Sequence, residues 1–471
     1  MQAFECTGQW WLPNDESHGA AGTLKVSQSG DLRLWLVGGL GPVAPFKSKN
    51  HPVILGWVDK SPPGNVVTLH GCALGGSTVG SGSDTRENYY AARAYFGAHL
   101  TQQADFAFKS MSLHLAGLSE WAHGYSRFEK GSLPGGMEER AALLWYKYKN
   151  PLVAEVPGGR MTLSAGLTSH IGDREYQFRE PVGLSVNCED AKSADEMNGD
   201  YVYPLQNLMT FVCDRAQEVE EFAVRQGEFP ANAAARDIRV IGPRVQPEDE
   251  GVATDTMRHF QMLFTLEDVE FADFVGRWLR VTEKYAAACS VFFGLQYGPP
   301  AFIDMSFPGI VQSLYLYYSH RDDGVAARAE AARRLKDVLS NLQRADADWI
   351  VDRLRVSFSP PLQWVLRKLI EEHPSVMNRL VSGRQERFVG GVINTLKYTL
   401  LRESDLDSVA SHGAHLYWTM QRLRFLFKAC LLRELGFSDE KIGGLFERNG
   451  LYQHICDIEA AEETRRRQAP T

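Results

Sequence analysis

Three residues near the end of the chain have the types and spacing of an RNA-cleaving site. In the segment "FERNGLYQHICD", residues 446–457, Arg448 and Asn449 precede His454. A histidine with a pKa of about 6.5 can act as general acid or base toward the 2′-hydroxyl or the leaving oxygen of RNA. The arginine would hold the scissile phosphate through paired N–H donors, and the asparagine would fix its orientation. The pattern predicts metal-independent RNA cleavage, in a site that a second subunit commonly completes.

The same residues also fit a purely structural role. Asn449-Gly450 is an ordinary turn signal. An arginine in the last turn of a helix is favoured by the helix dipole alone. On the sequence, a catalytic site and a capped helix end are therefore both open interpretations.

The first part of the chain is predicted to be rich in β-strands, and the helices that must position these residues come after it. Residues 1–190 contain short β-branched and aromatic runs, such as "GTLKVSQSGDLRLWLVGG", which alternate partly with period two between turn signals. The segment "LVAEVPGGRMTLSAGL" adds a hairpin signal. We predict an antiparallel sandwich or barrel. The aromatic residues of Trp10-Trp11 and "ENYYAARAYFGAH" fit either its core or a surface that stacks bases or a ligand.

The period becomes helical after residue 190. We predict a helix-rich connecting region over 191–306, beginning with "YVYPLQNLMTFVCDRAQEVEEFAV", a helical bundle over 307–450 and a C-terminal tail over 451–471. The last long bundle helix should end at Gly436. It should bury one apolar face, formed by Leu416, Met420, Leu423, Phe427, Cys430 and Leu431. The predicted fold class is α+β and multidomain.

Composition and charge narrow the function classes. The 471 residues are 44% hydrophobic and 23% charged, as in ordinary globular proteins. The net charge of −8 argues against a surface that coats nucleic acid, and we expect no DNA partner. From Phe307 onward there are 24 Lys and Arg against 21 Asp and Glu, which leaves 26 against 37 in the remainder. The C-terminal part, at +3 against −11, is therefore the expected RNA-facing part.

The sequence contains no signal for a membrane, a metal or a cofactor. No apolar run approaches the roughly 18 residues of a membrane span, and residues 1–13 do not resemble a leader, so we expect a cytoplasmic protein. The seven cysteines are scattered singly, which indicates reduced, mostly buried thiols and no metal site. Phosphate-binding loops, nucleophile elbows and zinc-protease motifs are also missing, and no cofactor is expected.

The order of several segments resembles one family along most of the chain. These segments are "FECTGQWWLP", "GTLKVSQSGDLRLWL", "HPVILGWV", "VTLHGCAL", "FADFVGRWLRV", "FPGIVQSLYLYYSHR", "FVGGVINTLKYTLLRESD" and "LYWTMQRLRFLFKACLLRELGFSDEKI". Together they resemble the ApeA-like proteins, bacterial anti-phage proteins with a β-rich amino-terminal domain and a carboxy-terminal HEPN helical domain. The resemblance implies a HEPN-type endoribonuclease as the reference activity and a homodimer formed through the helical domain.

The catalytic segment of that family departs from its pattern in this chain. The family's helix reads approximately valine, two residues, threonine-arginine-asparagine-tyrosine, two residues and histidine. The matching stretch is "VINTLKYTLL", residues 392–401, in which Val392, Thr395 and Tyr398 agree. The arginine, asparagine and histidine positions are occupied by Leu396, Lys397 and Leu401. Because leucine can neither bind a phosphate nor transfer a proton, the family's usual chemistry does not carry over.

The sequence thus predicts an anti-phage defence protein of the abortive-infection type. Since the ribonuclease motif is lost, we expect the helical domain to have a binding, sensing or scaffold role, with RNA or a phage component as its partner. The alternative is an active ribonuclease whose catalytic residues lie elsewhere in the domain. The first candidates are Arg448 and His454, and the other polar candidates are Lys397, Arg402, His412 and His415. A third interpretation is that the β-rich domain recognises a phage protein or small ligand and switches a dimer of the helical domain.

Overall fold

The structure is a computed structural model that divides the chain into two compact units. It describes residues 3–40, 50–59, 65–78, 86–125, 128–131, 143–146, 149–171, 176–228, 237–243, 258–298, 302–344, 360–402 and 404–468. The N-terminal unit comprises Met1–Pro247 and Gly251–Leu279, and the C-terminal unit comprises Glu248–Glu250 and Arg280–Thr471. The predicted boundary at residue 190 therefore falls inside the N-terminal unit.

Antiparallel strands dominate the described part of the N-terminal unit. The strands are β1 (Phe4–Trp11), β2 (Ala20–Val26), β3 (Leu32–Val37), β4 (His51–Val58), β5 (Val66–Thr78), β6 (Arg86–Phe96), β7 (Phe108–Leu115), β8 (Phe128–Gly131), β9 (Leu143–Tyr146), β10 (Leu152–Val156), β11 (Gly159–Ala165), β12 (Thr168–Ile171), β13 (Tyr176–Arg179), β14 (Val182–Lys192), β15 (Val219–Arg225) and β16 (Ile238–Ile241). The helices are α1 (Leu118–Trp121), α2 (Ala194–Met197), α3 (Tyr203–Cys213) and α4 (Phe271–Lys284), and the division between the units falls within α4.

Six of these strands close into a barrel. Their order is β1-β2-β3-β6-β5-β4, with β4 pairing back to β1. The long strand β6 allows both closure and extension, because β5 pairs along one edge while β3 and β16 share the other. Closure removes exposed sheet edges. The predicted β-rich domain is confirmed, with a barrel as its centre.

The predicted alternation fills the barrel interior. Leu32, Leu34 and Leu36 of β3 are at most 2% exposed and alternate with exposed residues. Trp10 is fully buried, and its Nε1–H donates to the carbonyl of Gly22 at 3.3 Å. Gly56 leaves room for the indole, since a Cβ at this position would lie 2.4 Å from ring carbons of Trp10. Of the two interpretations of the aromatic residues, Trp10 therefore belongs to the core.

Beyond the barrel the sheet continues in the order β16-β15-β7-β14-β11-β10. Strands β15 and β16 lie in the 191–306 region that was predicted to be helix-rich, and the helical segment predicted up to Val224 was wrong at β15. In β15 the buried Val219, Phe222 and Ala223 have the spacing of a helix face, yet pairing with β7 and β16 supplies the backbone hydrogen bonds of a strand. The predicted hairpin is present between β10 and β11, where Gly158 has φ 71°.

The described part of the C-terminal unit is helical. Its helices are α5 (Ala286–Tyr297), α6 (Ile303–His320), α7 (Asp322–Ser340), α8 (Leu362–Glu371), α9 (Pro374–Val381), α10 (Gln385–Leu401), α11 (Gly413–Glu434), α12 (Asp439–Glu447) and α13 (Gly450–Gln468). The predicted apolar face of α11 is buried in full, with no member more than 9% exposed. Gly436, with φ 91°, terminates α11, and the N–H of Phe437 returns to the carbonyl of Leu432 at 3.1 Å.

The segment predicted as a C-terminal tail is a helix of the bundle. Residues 451–468 lie in α13, where Tyr452 and Ile455 are fully buried. The hydroxyl of Tyr452 donates to the carbonyl of Val376 in α9 at 3.0 Å. Glu459 accepts hydrogen bonds from Arg384 and Arg422 at 2.9 and 2.8 Å. These contacts attach α13 to the bundle, so the predicted boundary at residue 450 does not separate a tail from the fold.

The cysteines, the helices and the acidic side chains relate to the predictions of reduced thiols, no membrane span and no metal site. All seven cysteines are unpaired and buried, as predicted, and burial raises the pKa of Cys72 to about 12. Within the described ranges, no helix is long and apolar enough to cross a membrane. Among the same residues, no group of three or more His, Cys, Asp or Glu side chains is placed to hold a metal ion.

A buried histidine should make the stability of the C-terminal unit depend on pH. Burial, with a smaller contribution from Arg433, lowers the pKa of His373 to about 4. In the unfolded chain a histidine pKa is about 6.5, so between these two values the unfolded state binds more protons than the folded state. Stabilisation is therefore complete above pH 6.5 and declines as the pH falls toward 4, by up to roughly 3 kcal/mol in the free energy of unfolding.

Urea unfolding followed between about pH 4.5 and pH 7 measures this dependence. We expect His373→Gln to flatten the pH profile of the unfolding free energy. The control is His320→Gln, which changes an exposed histidine of the same unit and should leave the profile as in the wild type. An unaltered profile in His373→Gln would contradict the assignment.

Candidate functional site

The stretch that matches the family's catalytic segment lies in the second half of α10. Val392 and Thr395 are fully buried. The hydroxyl of Thr395 donates to the carbonyl of Gly391 at 2.7 Å and accepts the backbone N–H of Ser411 at 2.9 Å. These matching residues therefore hold the chain that precedes α11 against α10. Their role in this geometry is to position the surrounding residues.

The three diverged positions present no catalytic group at this place. Leu396 is half-buried, Lys397 is exposed, and Leu401 is 65% exposed in the last turn of α10. A leucine side chain has no hydrogen-bonding atom, and a lysine presents a single point charge in place of an amide. The last turn of α10 therefore displays an apolar side chain at Leu401, the position at which the resemblance predicts a histidine.

Tyr398, which matches the family pattern, is the centre of a different polar cluster. The guanidinium carbon of Arg402 lies 5.3 Å from the centre of its ring. The imidazole of His412 meets the same ring edge-on, with ring centres 5.1 Å apart. The Nε2–H of His412 donates to the carbonyl of Asp407 at 2.9 Å, and a carboxylate oxygen of Asp407 lies 3.4 Å from the same nitrogen. The structure thus brings one arginine and one oriented histidine to a single tyrosine.

The end of α10 explains how Arg402 reaches this cluster. Arg402 has φ 54° and its N–H returns to the carbonyl of Tyr398 at 2.8 Å, which terminates the helix. Its guanidinium also lies 3.9 Å from a carboxylate oxygen of Asp304, at the start of α6. Arg402 and His412 are 63% and 50% exposed, so a ligand can reach both side chains.

This arrangement has the parts of an acid–base site. With Nε2 held by Asp407, the Nδ1 atom of neutral His412 is the ring nitrogen that can accept a proton. Arg402 supplies N–H donors for a phosphate, although Asp304 partly neutralises it. Arg402 and His412 were recognisable as candidates in the sequence, but Asp407 and Asp304 were not, because neither has a recognisable spacing to the motif. His415 is exposed beyond them in the first turn of α11.

Arg448 and Asn449 lie at the junction between α12 and α13, and His454 lies in the second turn of α13. The side-chain oxygen of Asn449 accepts the backbone N–H of Tyr452 at 3.0 Å, so Asn449 caps α13. Arg448 is exposed at the end of α12. The exposed ring of His454 contacts the ring of Trp418 edge-on, with centres 5.3 Å apart. The capped helix end is therefore the interpretation that the geometry at Asn449 supports.

Comparison with known proteins agrees with this architecture in both units. A model of the ApeA N-terminal domain 1 matches residues 5–278, and a model of the Apea-like HEPN domain matches residues 309–441. No curated protein and no solved structure matches the chain. The first match alone covers more than half of the 471 residues, and the second covers the part of the bundle that carries the Tyr398 cluster. The chain belongs to the ApeA-like family of anti-phage defence proteins, with a carboxy-terminal HEPN domain.

Proposed function

We propose that this defence protein acts through a HEPN domain that binds a partner instead of cleaving RNA with the family's residues. The supporting observation is the surface at the end of α10. Leu401, at the family's histidine position, is 65% exposed, and the adjacent Leu400 is 62% exposed. Exposed apolar residues at this place favour contact with another protein surface over contact with a phosphate. In this proposal the leucine at position 401 both removes the catalytic histidine and provides part of the binding surface.

A second copy of the chain is the proposed partner of this surface. Exposed apolar side chains continue beyond α10, at Val409 and at Tyr417 in the first turns of α11. The ring contact between Tyr398 and His412 joins these two segments. HEPN domains commonly form dimers, which supports a homodimer through the helical domain. In this proposal the dimer senses RNA or a phage component and sets off an abortive-infection response.

A ribonuclease with relocated residues is the second candidate function. The contacts of Arg402 and His412 with one tyrosine ring favour this pair over Arg448 and His454. In this alternative His412 transfers the proton, Arg402 binds the phosphate and Asp407 orients the imidazole. Activity would then need no metal ion.

Replacing Leu401 by aspartate tests the first proposal. A carboxylate buried in an apolar interface is costly, so we expect the dimer dissociation constant to rise at least about 100-fold. Phage protection should fall to that of cells without the protein. Sedimentation or size-exclusion chromatography measures the association, and the efficiency of plating measures protection.

The controls separate the two candidate functions. Val338→Asp changes an equally exposed apolar residue on α7 and should preserve both dimer and protection. His412→Ala should also preserve protection, with cellular RNA intact after infection. Purified protein that cleaves RNA without metal, and loses this activity in His412→Ala, would overturn the binding proposal in favour of the ribonuclease.

A further inference from the structure

A cavity in the N-terminal unit has no part in the proposed function of the HEPN domain. Its volume is about 600 Å³, and it lies beside α1, the start of β14 and the segment Arg258–Phe260. The side chains that matter for its chemistry are Glu120, His123, Glu180, Arg258, His259 and Phe260. A cavity of this size accommodates a side chain or a small ligand.

Two buried polar atoms of the cavity have no hydrogen-bond partner in the described part of the chain. They are Oε1 of Glu180 and Nδ1 of His123. Buried polar atoms in folded proteins nearly always have a partner, so an unmatched acceptor in a cavity points to a ligand that supplies a donor. Because a carboxylate oxygen only accepts hydrogen bonds, the group opposite Glu180 must carry an N–H or O–H.

The charges around the cavity favour a cationic ligand. Glu120 and Glu180 line it, and a carboxylate oxygen of Glu267 lies 3.6 Å from Nδ1 of His123. Arg258 is the cation among the lining residues in the described ranges. Lys149, whose ammonium donates to the carbonyl of the lining residue Gly124 at 2.9 Å, is a second cation, so without the histidines three carboxylates against two cations leave one negative charge. This balance repels phosphates and carboxylates and attracts a cation.

The aromatic groups of the cavity favour a planar ligand. The rings of His123 and His259 are stacked, with centres 3.6 Å apart and planes 11° apart. Phe260 is 61% exposed and meets His259 edge-on. The guanidinium of Arg258 already lies 5.9 Å from the centre of the Phe260 ring. An exposed ring beside carboxylates is suited to cation–π stacking with a guanidinium.

We propose that this cavity binds the guanidinium group of an arginine side chain presented by a partner protein. A guanidinium is planar and carries several N–H donors, so it suits both an exposed ring such as Phe260 and the unmatched oxygen of Glu180. A lysine ammonium matches the charge but not the planar shape. A nucleotide matches the planar shape, but its phosphate is repelled. Free arginine carries an α-carboxylate, which the acidic cavity disfavours, whereas an arginine within a peptide does not.

Ligand-observed NMR titration of the full-length protein tests the proposal. The probes are N-acetyl-L-argininamide and N-acetyl-L-citrullinamide, which has almost the same shape without the charge. We expect the arginine probe to bind at least about tenfold more tightly, because it makes charge-assisted hydrogen bonds. Glu180→Gln should remove this difference, since the variant keeps the shape of the side chain and loses its charge.

Matched controls and competing ligands complete the experiment. Glu155→Gln changes a carboxylate of β10 that is 73% exposed, and should bind as the wild type does. Unchanged urea unfolding of Glu180→Gln would show that the variant is folded. Equal binding of the citrulline probe, or of N-acetyl-L-lysinamide, overturns the guanidinium assignment. If guanosine monophosphate binds more tightly than N-acetyl-L-argininamide, the ligand is a nucleotide and not an arginine. If free arginine binds more tightly than N-acetyl-L-argininamide, the ligand is the free amino acid and not a side chain of a partner protein.

Discussion

Glu459→Ala is expected to lower the free energy of unfolding of the C-terminal unit by about 3–5 kcal/mol, because it removes a buried carboxylate that pairs with two arginines of the bundle. The Glu459 side chain is 10% exposed, and those of Arg422 and Arg384 are 12% and 27% exposed. The carboxylate accepts one hydrogen bond from each arginine. Since the arginines belong to α11 and to the residue before α10, this carboxylate joins three parts of the bundle.

Hydrogen exchange of α9 to α13, together with urea unfolding, measures the effect. Glu447→Ala is the matched control, since Glu447 pairs with Arg379 but both side chains are about half exposed. An exposed pair contributes at most about 1 kcal/mol. We therefore expect strong loss of protection in α13 for Glu459→Ala and little for Glu447→Ala. Equal effects of the two substitutions would show that the buried pair has no special role.

Trp10→Ala is expected to destabilise the barrel by about 3–5 kcal/mol. The indole is fully buried and occupies the space beside Gly56, which has no side chain of its own to fill it. The substitution therefore creates a cavity and also removes the hydrogen bond to Gly22. Cavity formation adds to the lost transfer free energy, because the strands of a closed barrel can collapse only in part.

Trp57→Ala is the control for the barrel, since Trp57 belongs to β4 and is 50% exposed. Hydrogen exchange in β1 to β6 should rise strongly in Trp10→Ala and only slightly in Trp57→Ala. The reverse order would mean that the exposed face, and not the interior, stabilises the barrel.

Local patterns in the sequence were sufficient for much of the fold. The alternation of β3 and the apolar face of α11 each report which side of one element is buried, and that information is contained in a single segment. Gly436 predicts the end of α11 because only a left-handed residue permits the returning hydrogen bonds. The same reasoning failed at β15, where three of the four buried residues, Val219, Phe222 and Ala223, have the spacing of a helix face. Strand partners far away in sequence decided that segment.

The candidate site shows the same limit at the level of single residues. Its sequence contains Arg402, His412, Leu396 and Leu401, and from these identities we predict that the family's usual residues are missing on α10. Spacing did not reveal that Tyr398 gathers an arginine and a histidine, because α10 ends and the chain turns before α11 begins.

The sequence by itself determined most of the elements and the resemblance to the family, since these depend on residue identity and local period. Only the tertiary structure decided that Asn449 caps α13 and that this supposed tail belongs to the bundle. It also decided that Arg402 and His412 share one ring and that Glu180 faces a cavity. The physical reason is that hydrogen bonding, charge pairing and burial join residues distant in sequence, whereas periodicity describes only neighbours.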